Sequence, residues 1–325
     1  MIKKERTVPL TIKKYEALLR RLQENHPKRP LIEEQLAKFR KGFDGEKSID
    51  YFLRELSKNE YYIFHDLRLP YRDDKFAQID VIILSSRFLL IIEVKNISGT
   101  LTFDPPFKQL IRVKDDKEEV FLDPLIQLKR HQKVVSSIVT TLSISQIPIE
   151  TLVVITDPNA IIKSTTNSRE IYGKVSRPFY LPQNINSFES KYKQDKLSKK
   201  DIQKISRYFL KKHTPLNLNV LSQFQIEISD IRTGVHCPKC NHLPLLKKSH
   251  RNKWYCGVCD EVYRDAHLHA LKDYALLINP YITNKECRKF LHLSSTQSTY
   301  RLLSKLQLER FGGTKGKKYY IKIDV

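Results

Sequence analysis

Two strongly apolar runs separated by a short polar break constrain this chain more than any other feature. The runs, residues 79–84 and 88–94, are rich in Ile, Leu, Val and Phe, and both have the length of a buried strand. The break between them, Ser85-Ser86-Arg87, is polar and short enough for a tight turn. The sequence therefore predicts a β-hairpin that lies inside a hydrophobic core.

This hairpin carries two acids and a lysine in a specific register. With the turn centred on Ser86-Arg87, the numbers of paired residues sum to 173, which places Asp80 opposite Glu93 and Lys95 opposite Gln78. Residues two apart share a face of a strand, so these four side chains are expected on one side of the sheet. A slip of one residue would move Asp80 to the other side.

Opposed carboxylates in an apolar sheet repel each other unless a positive charge lies between them. A divalent cation serves this purpose, and carboxylate oxygens suit Mg²⁺ or Mn²⁺. Such an ion lowers the pKa of bound water and stabilises charge on a phosphate. Lys95 would then orient or deprotonate the attacking water, or stabilise the developing phosphorane charge. The alternative is an ordinary amphipathic hairpin with charges at its surface.

A third acid and an amide are candidates for the same site. Glu46 is predicted near the start of a second helix, which residues 42–46 open, and it is aligned with apolar residues that follow at helical spacing. An acid near a helix N-terminus is also favoured without any site. Gln127 and His131 share a face of a helix over residues 124–142, capped by Asp123. Either could reach the site or face solvent.

At this point the sequence resembles the nuclease-related domain (NERD) family over roughly residues 40–155. The resemblance rests on five short matches: Gly45-Glu46, Gln78-Ile79-Asp80, Glu93-Val94-Lys95-Asn96, Gly99 and Gln127. Many members of the family have His directly after the aspartate, where this chain has Val81. Val81 is expected to face away from the site, so the departure weakens the resemblance only slightly.

The family belongs to the PD-(D/E)XK nucleases, so the resemblance implies an α/β fold with a mixed sheet flanked by helices. It also implies a catalytic set of Glu46, Asp80, Glu93, Lys95 and Gln127. Within this set, Asp80 and Glu93 would bind Mg²⁺ or Mn²⁺ and Lys95 would be the catalytic lysine. Glu46 would be the acid from the helix and Gln127 the supporting polar residue.

Four of the five cysteines form two close pairs, Cys237/Cys240 and Cys256/Cys259. Their C-x₂-C-x₁₅-C-x₂-C spacing is typical of a structural Zn²⁺ site with four thiolate ligands. A redox pair of dithiols is the alternative, but the surrounding sequence does not resemble a thioredoxin. The segment is similar to zinc ribbons, and its basic residues are candidate DNA contacts: Lys247, Lys248, Arg251 and Lys253.

The last sixty residues resemble a winged helix-turn-helix. A capping box from Thr283 to Glu286 opens one helix, a second helix covers residues 296–306 with Tyr300 facing inward, and a glycine-rich basic hairpin follows. A small helical cap with a solvated basic tail is the alternative. The candidate DNA contacts in this part are Gln297, Arg301, Lys305, Lys315, Lys317 and Lys318.

Charge supports a nucleic-acid partner. The chain has 58 Lys and Arg against 36 Asp and Glu, a net charge of +22, and residues 237–325 alone contribute +10, from 17 basic and 7 acidic residues. Lys and Arg commonly neutralise phosphates. The N-terminus lacks the apolar core of a signal peptide, and the longest apolar run is too short to span a membrane, so a cytoplasmic protein is expected.

These features together predict a metal-dependent deoxyribonuclease with C-terminal DNA-binding modules. The alternative is a regulatory DNA-binding protein that uses a nuclease fold as a scaffold, and residue types do not distinguish DNA from RNA. The oligomeric state, including a homodimer, is left open. The predicted parts are a helical extension (1–38), a nuclease domain (39–215), a linker (216–234), a zinc ribbon (235–265) and a winged-helix-like domain (266–325).

Overall fold

The computed structural model describes residues 1–54, 56, 60–72, 74–144, 147–248, 253–313 and 316–323. The helices are α1 (Leu10–Arg21), α2 (Arg29–Ser48), α3 (Asp50–Arg54), α4 (Pro124–Thr141), α5 (Arg169–Lys174), α6 (Leu181–Lys191), α7 (Lys199–Lys212), α8 (Val220–Phe224), α9 (Ala266–Leu277), α10 (Asn284–Phe290) and α11 (Thr296–Lys305).

The strands of the first half are β1 (Ile2–Lys4), β2 (Tyr62–Arg72), β3 (Lys75–Leu84), β4 (Leu89–Lys95), β5 (Thr100–Asp104), β6 (Gln109–Lys114), β7 (Lys117–Leu122), β8 (Ile149–Ile155), β9 (Ile161–Ser164) and β10 (Val175–Ser176). Those of the second half are β11 (Leu246–Lys248), β12 (Lys253–Tyr255), β13 (Val262–Tyr263), β14 (Tyr281–Thr283), β15 (Glu309–Phe311) and β16 (Lys318–Tyr320). The expected mixed α/β architecture is confirmed.

The chain divides into two compact units. The first contains residues 1–7 and 40–215, and the second contains residues 8–39 and 216–325. The sequence had set residues 1–38 apart as an extension, but their contacts distribute them between the two units. Residues 1–7 belong to the first unit because β1 pairs with β2, a long-range pairing that no local pattern reports.

The first unit is built on a six-stranded mixed sheet in the order β1-β2-β3-β4-β8-β10. The hairpin strands β3 and β4 are antiparallel, whereas β4 and β8 are parallel. One face packs against α4 and α7, and the other against α3 and α6, so apolar residues cover both sides. A second, four-stranded sheet has the order β7-β6-β5-β9. The buried hairpin at the centre explains the nearly continuous apolar runs of the sequence.

Helix α2 begins earlier than the sequence suggested. Residues 42–46 were expected to open the second helix, but α2 begins at Arg29 and continues to Ser48. Pro30 lies in its first turn, where a missing N–H is tolerated, and so does not interrupt it. Glu46 therefore lies near the C-terminal end of α2, and its place in the fold is not explained by a helix N-terminus.

The second unit contains two small three-stranded sheets. One has the order β11-β12-β13, and the other has the order β14-β16-β15 beside α10 and α11. The predicted capping box of α10 is confirmed: Thr283 Oγ1 accepts from the N–H of Glu286, whose carboxylate accepts from the N–H of Thr283. Helix α9 was not anticipated. None of the described helices has the length and apolar character required to cross a bilayer.

Candidate functional site

The β3–β4 hairpin has the predicted register. Its recorded pairs run from Leu84 with Leu89 to Val81 with Ile92, and each pair of numbers sums to 173. The ladder ends there, and the next N–H on β4, that of Val94, donates to Asp80 Oδ2 over 2.7 Å. The carboxylate of Asp80 thus lies at the point where the two strands separate.

Glu93 lies on the α4 side of the sheet, where His131 of α4 is its neighbour. Asp80 lies where the alternation of β3 is interrupted, because Ile79 and Ile82, three positions apart, belong to the same core cluster. The prediction for Gln78 was wrong in its contacts. Gln78 is exposed and its amide donates to Asp66, because the paired ladder does not extend to Lys95.

Lys95 connects the hairpin to helix α4. Its Nζ donates to Glu93 Oε1 over 2.7 Å and to Gln127 Oε1 over 3.2 Å. Asp123 fixes the start of α4 by accepting from the Leu125 N–H over 2.8 Å, as the sequence predicted. The cap fixes the start of α4, and Gln127 lies one turn after it. The start of the helix thus positions the Gln127 amide beside Lys95.

Glu46 joins the same group from helix α2. The preceding residue, Gly45, packs so closely on β4's C-terminal end that a Cβ there would lie 2.3 Å from Asn96 Cβ. Glu46 Oε2 accepts from Arg6 Nη1 over 2.5 Å, and its side chain is 21% exposed. A close helix–strand approach, which only glycine permits, therefore brings the third acid to the site.

The three acids are held in an environment that disfavours their ionised forms. Burial, followed by the charge of Asp80, raises the pKa of Glu93 to about 8. Burial and Asp80 likewise raise the pKa of Glu46 to about 9, although Arg6 opposes this. Burial raises the pKa of Asp80 against the opposing effect of Lys95. Mutual repulsion among buried carboxylates is relieved by a bound cation.

The donor set fits a hard divalent cation. Glu93 is 2% exposed, and its Oε2 has no hydrogen-bond partner. Mg²⁺ is commonly held by one or two carboxylates and several waters, and it prefers oxygen ligands. Among the described residues, these acids do not form a group of three ligand atoms within 4.8 Å. The arrangement thus suits an open site with two carboxylates and water rather than a closed cage.

His131 lies behind Glu93 on helix α4. Its ring is fully buried, neither nitrogen has a partner, and Nδ1 is 3.6 Å from Glu93 Oε2. Burial lowers the pKa of His131 to about 4, so the ring is neutral near pH 7. The sequence indicated that His131 could reach the site, and the structure places it there, beside an unsatisfied carboxylate oxygen.

Three further polar side chains at the site were not recognised in the sequence. Arg6, Asp50 and His65 lie around Glu46, and Arg6 contacts both other residues. Arg6 is 44 and 59 positions from Asp50 and His65 in the chain, and the three residues follow no motif. His65 stands in an ordinary strand pattern, so only the pairing of β1 with β2 could have identified this group.

The four paired cysteines converge in the second unit. Their sulfurs all lie within 4.8 Å of one another, the only such ligand group among the described residues. Cys237 Sγ is 3.6 Å from Cys259 Sγ, and Cys240 Sγ is 3.5 Å from Cys256 Sγ. Zn–S bonds of ~2.3 Å in a tetrahedron separate sulfurs by ~3.8 Å. The cluster can therefore hold a structural metal ion such as zinc.

Each cysteine pair ends in a tight reversal of the chain. Asn241 and Asp260 directly follow the two pairs and have φ values of 56° each, a left-handed conformation that short polar side chains tolerate. The N–H of Cys237 donates to His242 O, and that of Cys256 donates to Glu261 O. These turns point both sulfurs of each pair toward one position.

The candidate DNA contacts near the cysteines differ in their exposure. The Nζ of Lys247 is buried and lies 5.9 Å from the centre of the Trp254 ring, a position that does not favour contact with a phosphate. Lys253 is half-buried in β12. The side chain of Lys248 and all of Arg251 lie outside the described residues.

The C-terminal elements present a polar surface on helix α11. Gln297, Arg301 and Lys305 are exposed on this helix, whereas Leu303 is buried. Tyr300 was expected to face inward, but it is 48% exposed, because Thr299 takes the inward position beside Leu303. In the hairpin Lys318 is exposed and Lys317 half-buried, and Lys315 lies outside the described residues.

A groove in this unit lies between the helices and the hairpin. It is lined by residues of α10, α11 and the hairpin, among them Asn284, Lys285, Gln297, Tyr300 and Lys317. With Tyr319, the lining combines two cations, two amides and two aromatic rings. These groups can donate hydrogen bonds to, and pack against, a polyanion or its bases.

No curated protein and no solved structure matches this chain. Residues 41–156, however, match the nuclease-related domain (NERD) family. The matched segment carries Glu46, Asp80, Glu93, Lys95 and Gln127, and within it Lys95 contacts both Glu93 and Gln127. This part of the chain is therefore similar to a nuclease-related domain, which indicates a nuclease-related function and an interaction with nucleic acid.

Proposed function

We propose that the protein is a divalent-metal-dependent nuclease that hydrolyses phosphodiester bonds in DNA. The observation that carries the proposal is the contact of Lys95 Nζ with both Glu93 and Gln127, near the carboxylates of Asp80 and Glu46. A structural ion pair needs one acid, and a bound cation would relieve the repulsion among the further carboxylates around Lys95.

The hairpin acids and Lys95 would have different roles in this reaction. Asp80 and Glu93 would hold Mg²⁺ or Mn²⁺, which when bound supplies an acidified water and neutralises phosphate charge. Burial alone would lower the pKa of Lys95, but Glu93 and Asp80 outweigh burial and raise it. Lys95 is therefore a cation, suited to donate a hydrogen bond to a phosphate oxygen and to stabilise its developing charge rather than to remove a proton.

Gln127 and Glu46 complete the site from two helices. Gln127 accepts from Lys95 and so restricts the ammonium to one position. Glu46 places a carboxylate on the side of Asp80 and is suited to bind water of the hydrated ion. Because both side chains come from capped or closely packed helices, their positions are fixed before substrate binds.

The second unit would supply binding to DNA. We propose that the four cysteines hold Zn²⁺ in a zinc ribbon and that α9 to β16 form a winged helix-turn-helix. In this arrangement Gln297, Arg301 and Lys305 would face base edges or phosphates, and the basic hairpin would contact the backbone. Phosphate contacts give affinity that decreases with salt.

The test is incubation of the purified, zinc-loaded full chain with supercoiled plasmid and Mg²⁺ or Mn²⁺, in parallel with Asp80→Ala and Lys95→Ala. Cleavage by wild type, with a loss of at least ~100-fold in either variant, is expected because each removes a group that acts on the reacting phosphate. Equal cleavage by the variants would overturn the proposal. Metal-independent DNA binding without cleavage would instead support a regulatory DNA-binding protein, and preference for RNA would correct the substrate.

A further inference from the structure

The N-terminal strand delivers a buried arginine to the acids of the nuclease-like unit. Arg6 follows β1, and its side chain is 4% exposed. Nη1 donates to Glu46 Oε2 over 2.5 Å, Nε donates to Asp50 Oδ2 over 3.1 Å, and Nη2 is 3.0 Å from His65 Nδ1. All three nitrogens of the guanidinium are therefore engaged by side chains of the same unit.

Several contacts hold this strand in place. Ile2 pairs with Ile63 on β2, the terminal amine donates to Tyr61 O over 2.5 Å, and Lys4 Nζ donates to His65 O over 3.0 Å. The strand pairing extends the sheet at its edge. Because the backbone is fixed only two residues before Arg6, the guanidinium has little freedom to approach Glu46 from elsewhere.

The contacts around Arg6 direct its Nη1 to Glu46. His65 is 1% exposed and, as a neutral ring, can only accept from an arginine, which has no acceptor. Asp50 takes the Nε edge of the guanidinium. With these two sides occupied, Nη1 is directed at Glu46 Oε2, while Oε1 of Glu46 has no bond from any described residue. One oxygen of Glu46 is thus held and the other is left for a ligand.

We propose that Arg6 is a positioning residue of the nuclease site: it holds Glu46 beside Asp80 and Glu93, which makes the N-terminal strand part of the catalytic unit. The inference rests on the proposed function. It goes beyond the NERD match, which begins at residue 41 and leaves Arg6 outside. Without Arg6, repulsion from Asp80 and Glu93 would turn Glu46 away, because no other cation contacts its carboxylate among the described residues.

The alternative is that Arg6 only anchors β1 to the sheet. A double-mutant cycle distinguishes this structural role from a positioning role. If Arg6 acts through Glu46, its removal has no further effect once Glu46 is neutral. If Arg6 merely anchors the strand, the losses in Arg6→Gln and Glu46→Gln multiply. Lys4→Gln is the matched control, since it removes a β1–β2 contact and leaves the Arg6–Glu46 pair intact.

The experiment measures Mn²⁺ affinity by calorimetry on the zinc-loaded full chain, together with kcat and KM on plasmid DNA. Arg6→Gln is expected to weaken Mn²⁺ binding by about 10-fold, the scale of losing an outer partner of a metal site. It should lower kcat and leave KM for DNA unchanged. The double variant should match Glu46→Gln within about twofold, and Lys4→Gln should resemble wild type. Arg6→Lys keeps the positive charge but loses the forked guanidinium. Its Mn²⁺ affinity should therefore lie between those of wild type and Arg6→Gln.

Two results would overturn the inference in different ways. Wild-type Mn²⁺ affinity in both Arg6→Gln and Arg6→Lys, or losses that multiply in the double variant, would refute the role of Arg6 alone. Mn²⁺ binding that Asp80→Asn leaves unchanged would refute the proposed function, and the role of Arg6 with it. If Arg6→Gln does not fold, Arg6→Lys decides between these outcomes, since a cation remains to pair with Asp50.

Discussion

Replacing Glu93 with glutamine is expected to stabilise the protein when no divalent cation is added. Glu93 is 2% exposed, and burial together with Asp80 raises the pKa of its carboxyl from 4.5 to about 8. The unfolded chain ionises this group at about pH 4.5, whereas the folded chain keeps it protonated to about pH 8. Stability from this group is therefore complete at low pH and decreases as pH rises between these values.

The size of the expected stabilisation follows from the shift in the pKa of Glu93. Each pKa unit corresponds to about 1.36 kcal/mol, so at about pH 7 the ionisable side chain costs roughly 3 kcal/mol relative to a neutral one. Glutamine avoids this cost, but repacking its amide against Lys95 weakens the hydrogen bond that Glu93 accepts, which costs about 1 kcal/mol. We expect Glu93→Gln to raise the free energy of unfolding by roughly 2 kcal/mol at about pH 7 and to change it little at about pH 5.

The assay is urea unfolding followed by far-ultraviolet circular dichroism, in zinc-loaded protein without Mg²⁺. Hydrogen–deuterium exchange of the β4 amides assigns the effect to the first unit, where roughly 2 kcal/mol corresponds to about 30-fold slower exchange. Glu118→Gln, an exposed acid in β7, is the control and should change stability by less than about 0.5 kcal/mol.

Two outcomes of the unfolding experiment would contradict this explanation of the effect of Glu93→Gln. If Glu93→Gln destabilises the protein by more than about 1 kcal/mol at pH 7, the carboxylate is stabilised by its surroundings and the acids have no unmet need for a cation. A gain that is the same at pH 5 and pH 7 would show that the effect comes from packing. Added Mg²⁺ should stabilise wild type and leave Glu93→Gln unchanged, which reverses their order.

Two other predictions concern the cysteines and the approach of α2 to the sheet. Cys240→Ser should lower the metal content from about one zinc ion per chain by atomic absorption, whereas Cys287→Ser, outside the cluster, should retain it; equal zinc in both would exclude the four-sulfur site. Gly45→Ala should cost about 1–3 kcal/mol in thermal unfolding, because its Cβ would overlap Asn96, while Gly42→Ala, with open space around it, should be neutral or stabilising. Similar effects at both glycines would contradict this packing.

The sequence anticipated the hairpin and its register because both are local. Alternation along β3 and β4, with only a short break between them, leaves few ways to pair the strands and bury their apolar faces. The same reasoning predicted Asp80 and Glu93 on one side, and the structure shows Asp80 accepting from the N–H of Val94, next to Glu93. This reasoning did not foresee that the ladder ends at Val81 and Ile92, which leaves Gln78 away from Lys95. Where a pair of strands separates depends on what packs against its ends.

Helix boundaries were accurate where a cap defined them and wrong where they were inferred from breakers. Asp123 and Thr283 marked the starts of α4 and α10 because a side chain that accepts from the N–H of the first turn is a local signal. Residues 42–46 were expected to open the second helix, but they lie inside α2, which begins at Arg29 with Pro30 in its first turn. Similarly, periodicity placed Tyr300 inward, but packing selected Thr299.

By itself, the sequence determined the features that depend on neighbours in the chain: the hairpin register, the capped helices and the spacing of the cysteine pairs. Tertiary structure alone decided which distant residues meet. The pairing of β1 with β2 brought Arg6 to Glu46, and close packing at Gly45 brought Glu46 to the hairpin. Such contacts are set by burial and strand pairing across long loops, whose partners carry no periodic or spacing signal that could be read in advance.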